Sequence, residues 1–585
     1  MSNTPHGNRS SRLLDREAGG VRKPHAGRLR VALAFPNSYH VGMSNLGFQT
    51  AYRLFNEPDE VVCERVFLPS ASDAQAVPPR PGALATAESG TPVRDFDVFA
   101  FSVSFEWDYV NVVRLLRHAG LPVYASERDA RHPLVVLGGA VTFLNPEPLA
   151  PFADVVAVGE GEALVPALVR ALAAGAGRDA VLRALASEPG FYVPSLIDVR
   201  YAADGTIAAF EPRPGSGATV PVRKASLPAS ACSDPPATAI FTPDTEFGSR
   251  LLVEAVRGCP NLCRFCWAGY NYLPVRAFPA DRILEIARAS RPHASRIGLV
   301  SIALCDHPEI ERLLAGLVAL GYTISPASLR LDDLTEPVLR LLREGGERSI
   351  TIAPEAGSDR LRRVINKGFS NADILDRADM IFSAGFESLK LYFMIGLPTE
   401  ADEDLAAIRD LTLALKDRML AHARAKGRIG HISASVNPLV PKPGTAYQWL
   451  PMARPDAIDR TIRRLRTLTA GIPNVTFSIK SERQAFHQAL LSLGDRRVAP
   501  VIDAAERNGG QWRHALAETG VDAAFYVYRD RSNDEVLPWD VIDDGTKAAF
   551  FRAELAKSFR AEPTQPRATA AERGPRPSGD PGAHS

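Results

Sequence analysis

The sequence predicts an α/β protein built in two successive units, an N-terminal Rossmann-like parallel sheet and then a partial or full βα barrel. Three observations lead there. Short, continuously apolar runs alternate with helical stretches twice along the 585 residues, the pattern of parallel strands covered on both faces. A Pro- and Ser-rich stretch around 226–243 separates the two series and reads as an interdomain linker. Half of the six cysteines fall within eight residues, Cys259-Pro-Asn-Leu-Cys263-Arg-Phe-Cys266, directly after the first strand of the second series.

The elements follow in order. Residues 1–27 are polar and rich in Gly, Arg and Ser, and are expected to be a disordered lead. Residues 28–175 form the first β/α domain, with strands at 31–35, 96–103, 134–137 and 155–158. Helices are expected over 108–119 and from 164 onward. Residues 176–246 are a mixed connector, with a hairpin turning at Asp204-Gly205. The barrel spans 247–470, with strands at 251–256, 297–304, 323–329, 349–353, 388–395 and 431–436. Six βα units of this kind suggest a full or partial barrel. Residues 471–560 are expected to be a small α-rich module with a possible strand at 525–527. The Pro-rich tail, 561–585, is expected to be disordered.

Bulk properties narrow the function. Apolar residues make up 45% and charged residues 23%, ordinary for soluble globular protein. No run of about 18 apolar residues appears, so no membrane span is expected. The N-terminus lacks an apolar signal core, and the clustered cysteines suit a reducing compartment, so a cytoplasmic location is expected. Cys63, Cys232 and Cys305 are scattered and read as small core residues. A net charge of +1 gives no bulk electrostatic footprint for nucleic acid. A basic run (Arg460, Arg463, Arg464, Arg466, then Lys480, Arg483, Arg496, Arg497) reads as a solvated helix face, with RNA phosphates as the sharper alternative.

The cysteine loop carries the chemistry. Three thiolates in one loop converge on one centre without long-range folding. A closed structural site wants four ligands, and three leave a position open. Spacing alone permits two metals: a [4Fe–4S] cluster with one free iron, or zinc completed by a residue such as His293 or His307. Three cysteines interleaved with Asn and Arg do not make an apolar core face. Trp267, Tyr270 and Tyr272 would pack the barrel or shield the site.

C-x3-C-x2-C with Phe265 before the last cysteine, after a first barrel strand, resembles the radical S-adenosylmethionine (SAM) superfamily. Ile352-Ala-Pro-Glu355-Ala-Gly-Ser resembles its fourth-strand segment, whose carboxylate contacts the SAM ribose. Lys390-Leu-Tyr-Phe-Met-Ile395-Gly396-Leu-Pro-Thr-Glu400 resembles the adenine-contacting fifth strand of the methylthiotransferase-like branch. Asn437-Pro-Leu-Val-Pro-Lys-Pro-Gly-Thr resembles the end of the sixth. The resemblance implies that Cys259, Cys263 and Cys266 bind three irons and that SAM chelates the fourth. Reductive cleavage then yields a 5′-deoxyadenosyl radical that takes a substrate hydrogen. It also implies a reductase or a flavodoxin- or ferredoxin-type electron donor. Glu355 would meet the ribose and Gly396 the adenine. Arg330 and Lys390 would meet the SAM carboxylate or a substrate anion. The usual Gly-Gly-Glu after the second strand is absent from Leu299-Val-Ser301-Ile-Ala-Leu-Cys305-Asp306, so Ser301 or nearby backbone would hold the SAM amine.

In the first domain, Gly138-Gly139 and Gly159-Glu160-Gly161-Glu162 resemble the cobalamin-binding (B12) domain that precedes many radical SAM barrels. Ser102, Ser104, Gly138, Gly139, Gly159 and Glu160 would then line the cofactor's nucleotide tail. Glycines at the carboxyl ends of parallel strands open such a crevice, although they also make tight turns. The D-x-H-x-x-G motif for a lower axial histidine is missing: Ser38-Tyr-His40-Val-Gly42 stands nearest. Val41–Gly47 and Asp534–Asp540 add to the resemblance, which points to an uncharacterised branch of B12-domain radical SAM proteins. The expected function is SAM cleavage at a [4Fe–4S] cluster with modification, methylation included, of a substrate, RNA among the possible classes. Two alternatives remain: a non-catalytic iron–sulfur scaffold, favoured by the missing Gly-Gly-Glu, and a zinc-stabilised RNA-binding protein.

Overall fold

The computed structural model describes residues 13–69, 81–175, 177–327, 329–332, 334–424 and 429–565. Its first domain is a six-stranded sheet of β1 (Leu29–Ser38), β2 (Val61–Leu68), β3 (Val98–Ser102), β4 (Leu134–Gly138), β5 (Val155–Ala157) and β6 (Phe191–Tyr192), in the order β2-β1-β3-β4-β5-β6. All neighbours are parallel except β5 and β6. Helices α1 (Leu46–Asn56) and α2 (Gly161–Ala173) cover one face. Strand order reverses between β1 and β3, and such a reversal opens a crevice at the carboxyl ends of the strands.

Strand β2 was not expected. Glu64 and Arg65 interrupt its apolar run and hide it from a hydropathy reading. Both are buried and satisfied: Arg65 pairs with Glu17 at 2.7 Å and Glu88 at 2.6 Å, and Glu64 with His25 at 2.8 Å. The same contacts correct the expected disordered lead. Glu17 meets Arg65, residue 18 bridges to residue 241, and Lys23 Nζ donates to the carbonyls of Asn56, Pro58 and Val61. Residues 13–27 are therefore docked on this domain, while residues 1–12 lie outside the described residues.

The expected hairpin is present as β7 (Ile197–Tyr201) and β8 (Ile207–Pro212), with Gly205 at φ 86° in the turn. A short β9 (Val222–Arg223) follows. The barrel is partial. One half is β10 (Arg250–Arg257), β11 (Arg276–Ala277), β12 (Arg296–Ser301) and β13 (Thr323–Pro326), ordered β11-β10-β12-β13. The other is β14 (Ser349–Glu355), β15 (Ser388–Ile395), β16 (His431–Pro438) and β17 (Val475–Ile479). The Leu329 N–H donates to the Thr351 carbonyl between the halves. Strand β17 lies beyond residue 470, so the barrel runs further than the sequence suggests.

Burial alternates along the second half. Leu389, Leu391, Phe393 and Ile395 pack against the outer helices, while Lys390, Tyr392 and Met394 share the opposite face, which lines the lumen. Helices that matter below are α3 (Trp267–Asn271), α4 (Asp359–Val364), α5 (Asp402–Arg424), α6 (Glu482–Leu493), α7 (Ala523–Val527) and α8 (Ala548–Phe559). Residues 525–527, a possible strand by composition, lie in α7, because Asp522 caps that helix by accepting from the Ala524 and Phe525 N–H groups. A last strand, β18 (Ile542–Asp543), pairs with β9. Of the expected disordered tail, residues 561–565 are placed: Thr564 donates its N–H to Asn366 and its hydroxyl to Glu554. Residues 566–585 lie outside the described residues.

Candidate functional site at the barrel mouth

Strand β10 ends at Arg257. Gly258 turns the chain at φ 95°, where a side chain would collide with the Tyr272 carbonyl. The cysteine loop follows at once. Cys259 and Cys263 are buried and Cys266 is half-buried. Cys266 precedes α3, and its thiol accepts from the Gly269 and Ala268 N–H groups. Burial pushes Cys259 up to about 11 and Cys263 up to about 12, and raises Cys266. Neutral buried thiols next to a cation are poised to lose their protons to a metal centre. Among the described residues no three His, Cys, Asp or Glu converge closely enough to ligate one ion.

His293 and His307 do not serve as a fourth ligand. His293 stacks on Phe241, and both ring nitrogens of His307 are engaged, with the Phe278 carbonyl and the residue 309 N–H.

Glu355 ends β14 beside the loop, with its backbone at φ 64°. A glutamate held in the left-handed region is strained, and such strain collects at functional sites. Its partner is Lys367, Nζ 3.7 Å from Oε1. Burial raises the Glu355 carboxyl, and Lys367 opposes that. Burial also works against the Lys367 ammonium, but the neighbouring Cys263, Glu355, Cys266 and Cys259 outweigh it. Lys367 is thus the cation that faces all three thiols. Sequence reasoning missed it, because its only signal is its place after α4, twelve residues beyond Glu355 in the chain.

The loop is fastened from behind. Arg264, between Cys263 and Cys266, is fully buried. It pairs with Glu554 of α8 at 3.2 Å and donates to the carbonyls of Arg363, Val364 and Glu562. Asn366 donates to the Leu262 carbonyl, and Ser558 and Tyr447 both reach the Val364 carbonyl. The C-terminal module therefore supports the cysteine loop and the Glu355–Lys367 segment together.

Gly396 tops β15 at φ 74° and its N–H donates to Glu400 at 3.0 Å. Burial pushes Glu400 up to about 7, and its Oε2 has no hydrogen-bond partner. Two more buried polar atoms at the mouth lack partners, Trp267 Nε1 and Asn437 Oδ1. Buried polar groups are ordinarily satisfied, so this end of the barrel is shaped for a polar ligand such as SAM. Arg330 is placed near Cys259 but is paired with Asp306 at 2.6 Å and Asp332 at 2.8 Å. Lys390 sits lower: it pairs in register with Thr351, whereas Glu355 pairs with Phe393. That is about 10 Å further down the strand. The basic run is structural in part, since Arg496 and Arg497 pair with Glu147 and Asp495 and Arg460 with Asp456.

A cavity of about 530 Å³ joins the two domains. It contains all six residues expected to line a cobalamin tail: Ser102, Ser104, Gly138, Gly139, Gly159 and Glu160. It runs between the sheet and helices α1 and α2, with Leu33, Val136, Leu164 and Phe191 as walls, and reaches Glu254, Val256, Val300 and Ser301 of the barrel. The cysteines are not among its lining. Two of the glycines have a second role. A Cβ on Gly139 would stand 2.3 Å from the Val103 carbonyl oxygen, and one on Gly159 would stand 2.0 Å from that of Ala225. Glu160 is bound by Arg276 at 2.5 Å, Arg257 at 3.0 Å and the Leu227 N–H at 2.7 Å. It joins the two domains while lining the cavity. His40 is exposed and contacts the Asp244 carbonyl, away from the cavity lining.

A Rossmann-like domain set against a partial barrel, with three thiols at the barrel mouth, defines a cluster-bearing βα-barrel enzyme. The chain belongs to the radical SAM superfamily: residues 253–412 match the model described as the radical SAM superfamily, and residues 47–194 the one described as the N-terminal part of radical SAM proteins. It is thus a radical SAM enzyme, whose family cofactors are a [4Fe–4S] cluster and SAM. An uncharacterised protein of Methanocaldococcus jannaschii is 28% identical over 72% of this chain and 79% of its own length. A tRNA-2-methylthio-N(6)-dimethylallyladenosine synthase of Colwellia psychrerythraea is 24% identical over 29% of this chain and 38% of its own length. Among solved structures, the radical SAM methyltransferase TsrM of Kitasatospora setae, with cobalamin and a [4Fe-4S] cluster bound, aligns with a TM-score of 0.48 at 12% identity, over 84% of this chain and 98% of that one. The cobalamin-dependent SAM radical enzyme OxsB aligns with a TM-score of 0.45 at 12% identity, over 91% and 80%.

Proposed function

We propose that this enzyme cleaves SAM reductively at the barrel mouth and holds cobalamin in the interdomain cavity, and that the pair serves modification of an unactivated carbon, methylation in particular. The observation that carries the reading is the cavity at the switch point, which opens onto the lumen face of β10 and β12. Cys259, Cys263 and Cys266 hold the cluster. Lys367 meets the SAM carboxylate, Glu355 the ribose hydroxyls, and the backbone at Gly396 the adenine. Ser301 or backbone near it holds the amine. The apolar walls at Leu33, Val136, Leu164 and Phe191 take the flat base of the nucleotide tail, and Ser102, Ser104 and Asn45 meet polar groups at its mouth. Among the described residues, no histidine lines the cavity. Bound there, cobalamin supplies a methyl carrier, and the protein supplies orientation and exclusion of water. A flavodoxin- or ferredoxin-type donor in the cytoplasm delivers the electrons.

Anaerobic reconstitution with iron, sulfide and hydroxocobalamin tests this. Purified protein should retain about one corrin per chain by absorbance, and should form 5′-deoxyadenosine from SAM with a strong reductant. Ala157→Phe, which fills the cavity, should lose corrin and keep the cluster spectrum. No corrin retention with SAM cleavage intact removes the cobalamin half. No cleavage from a fully loaded cluster removes the rest.

A further inference from the structure

Three aromatic rings bridge the cysteine loop and the interdomain cavity. Trp267 follows Cys266 directly and opens α3. Its ring centre lies 5.4 Å from that of Phe143, tilted by 31°, and 5.4 Å from that of Tyr272, edge-on at 75°. Phe143 and Tyr272 meet edge to face at 5.8 Å and 85°. Rings at such separations are in direct contact. Phe143 belongs to the other domain, in the turn Ala140–Phe143 that follows β4. Phe143 and Tyr272 line the cavity, and Trp267 does not. The trio thus has one ring beside the thiols and two at the cavity wall. It touches both ends of the loop, because the Tyr272 carbonyl would stand 2.4 Å from a Cβ on Gly258, the residue before Cys259. Lys224 pins the assembly: its Nζ lies 5.9 Å over the Phe143 ring and donates to the Asn271 carbonyl at the end of α3.

We propose that Trp267, Phe143 and Tyr272 form the electron path from the cysteine loop to the cavity. The inference rests on the reading that the loop holds the cluster and the cavity a corrin. The step is a single electron transfer. The reduced cluster loses one electron, and the cobalt gains it, passing from Co(II) to Co(I). An external donor of the flavodoxin or ferredoxin class restores the cluster. The rings are neither oxidised nor reduced. They are the medium through which the electron tunnels, and their unbroken contact leaves no void between loop and cavity for it to cross.

Flash photoreduction with deazaflavin tests the path in the full-length enzyme loaded with cluster and with corrin poised as Co(II), without SAM. In wild type the bleached cluster absorbance should recover at the rate at which the Co(I) band grows. That common rate, compared at equal cluster and corrin content, should fall about tenfold or more in Trp267→Leu and in Phe143→Leu, since truncating a packed ring leaves a void in the path. Trp267→Phe, which keeps a ring, should recover much of it. A role in packing alone would lower the retained cluster or corrin and leave the rate per loaded site unchanged. The two Leu variants stand in different domains and are read in parallel, so loss of a cofactor from one leaves the other to decide. Equal rates in wild type and variants overturn the path, and so does Co(I) formed as fast in cluster-free protein. Wild type that retains no corrin or no cluster strikes the underlying reading, whereas a loaded wild type whose rate the variants share strikes only the path.

Discussion

At the scale of single residues, the site is organised by groups whose burial is uncompensated until a ligand arrives. Glu400 is the clearest titrating case. Its carboxyl is pushed up to about 7 by burial, against the pull of the Gly396 and Leu397 N–H groups. A carboxyl raised in the fold favours the protonated form. Its contribution is fully present below the unfolded value of 4.5 and is lost as pH climbs through about 7. Glu400→Gln removes that dependence, so thermal midpoints of variant and wild type should converge near pH 5 and separate in the variant's favour near pH 8. The three cysteines and Glu355 were legible in the sequence because their spacing and neighbours are local. Lys367 and Arg264 were not. Lys367 acquires meaning only when the turn after α4 returns it to the loop, and Arg264 only when Glu554, 290 residues away, is beside it.

At the scale of elements, α8 does what a short C-terminal helix seldom needs to do. Its Glu554 and Ser558 are buried against the back of the cysteine loop and the segment after Glu355. Removing one partner of a buried pair strands the other charge, at a cost of about 3–5 kcal/mol. Glu554→Ala should therefore lower the thermal midpoint. It should also speed loss of cluster absorbance to a chelator beyond what a destabilising substitution remote from the loop causes. The core strands β1, β3, β4, β15 and β16 were readable because burial on both faces, or clean alternation, leaves a pattern in the sequence. Strand β2 was not, since its Glu64 and Arg65 are neutralised by residues from two other segments, 13–27 and the loop at Glu88. The same blindness applied to residues 13–27, whose order comes from contacts more than 30 residues distant.

At the scale of the whole molecule, the two domains are riveted at Glu160, which holds Arg257 from the end of β10 and Arg276 from β11. Lys442 in the loop after β16 adds a second rivet, meeting Glu106 of the first domain and Ser492 of α6 at 3.1 Å. Arg276→Met should leave each domain folded and loosen their junction. Limited proteolysis should then cut within the connector, 213–249, faster than in wild type. Glu160 lines the cavity, and the residue it grips is two positions ahead of Cys259. Whatever fills the cavity and shifts Glu160 thereby acts on the cysteine loop proposed to hold the cluster. Such coupling obeys reciprocity: the factor by which a loaded cluster changes affinity for the cavity's occupant must equal the factor by which that occupant changes affinity for the cluster. Where that factor exceeds one, either guest, once seated, prepares the other's place, whichever arrives first.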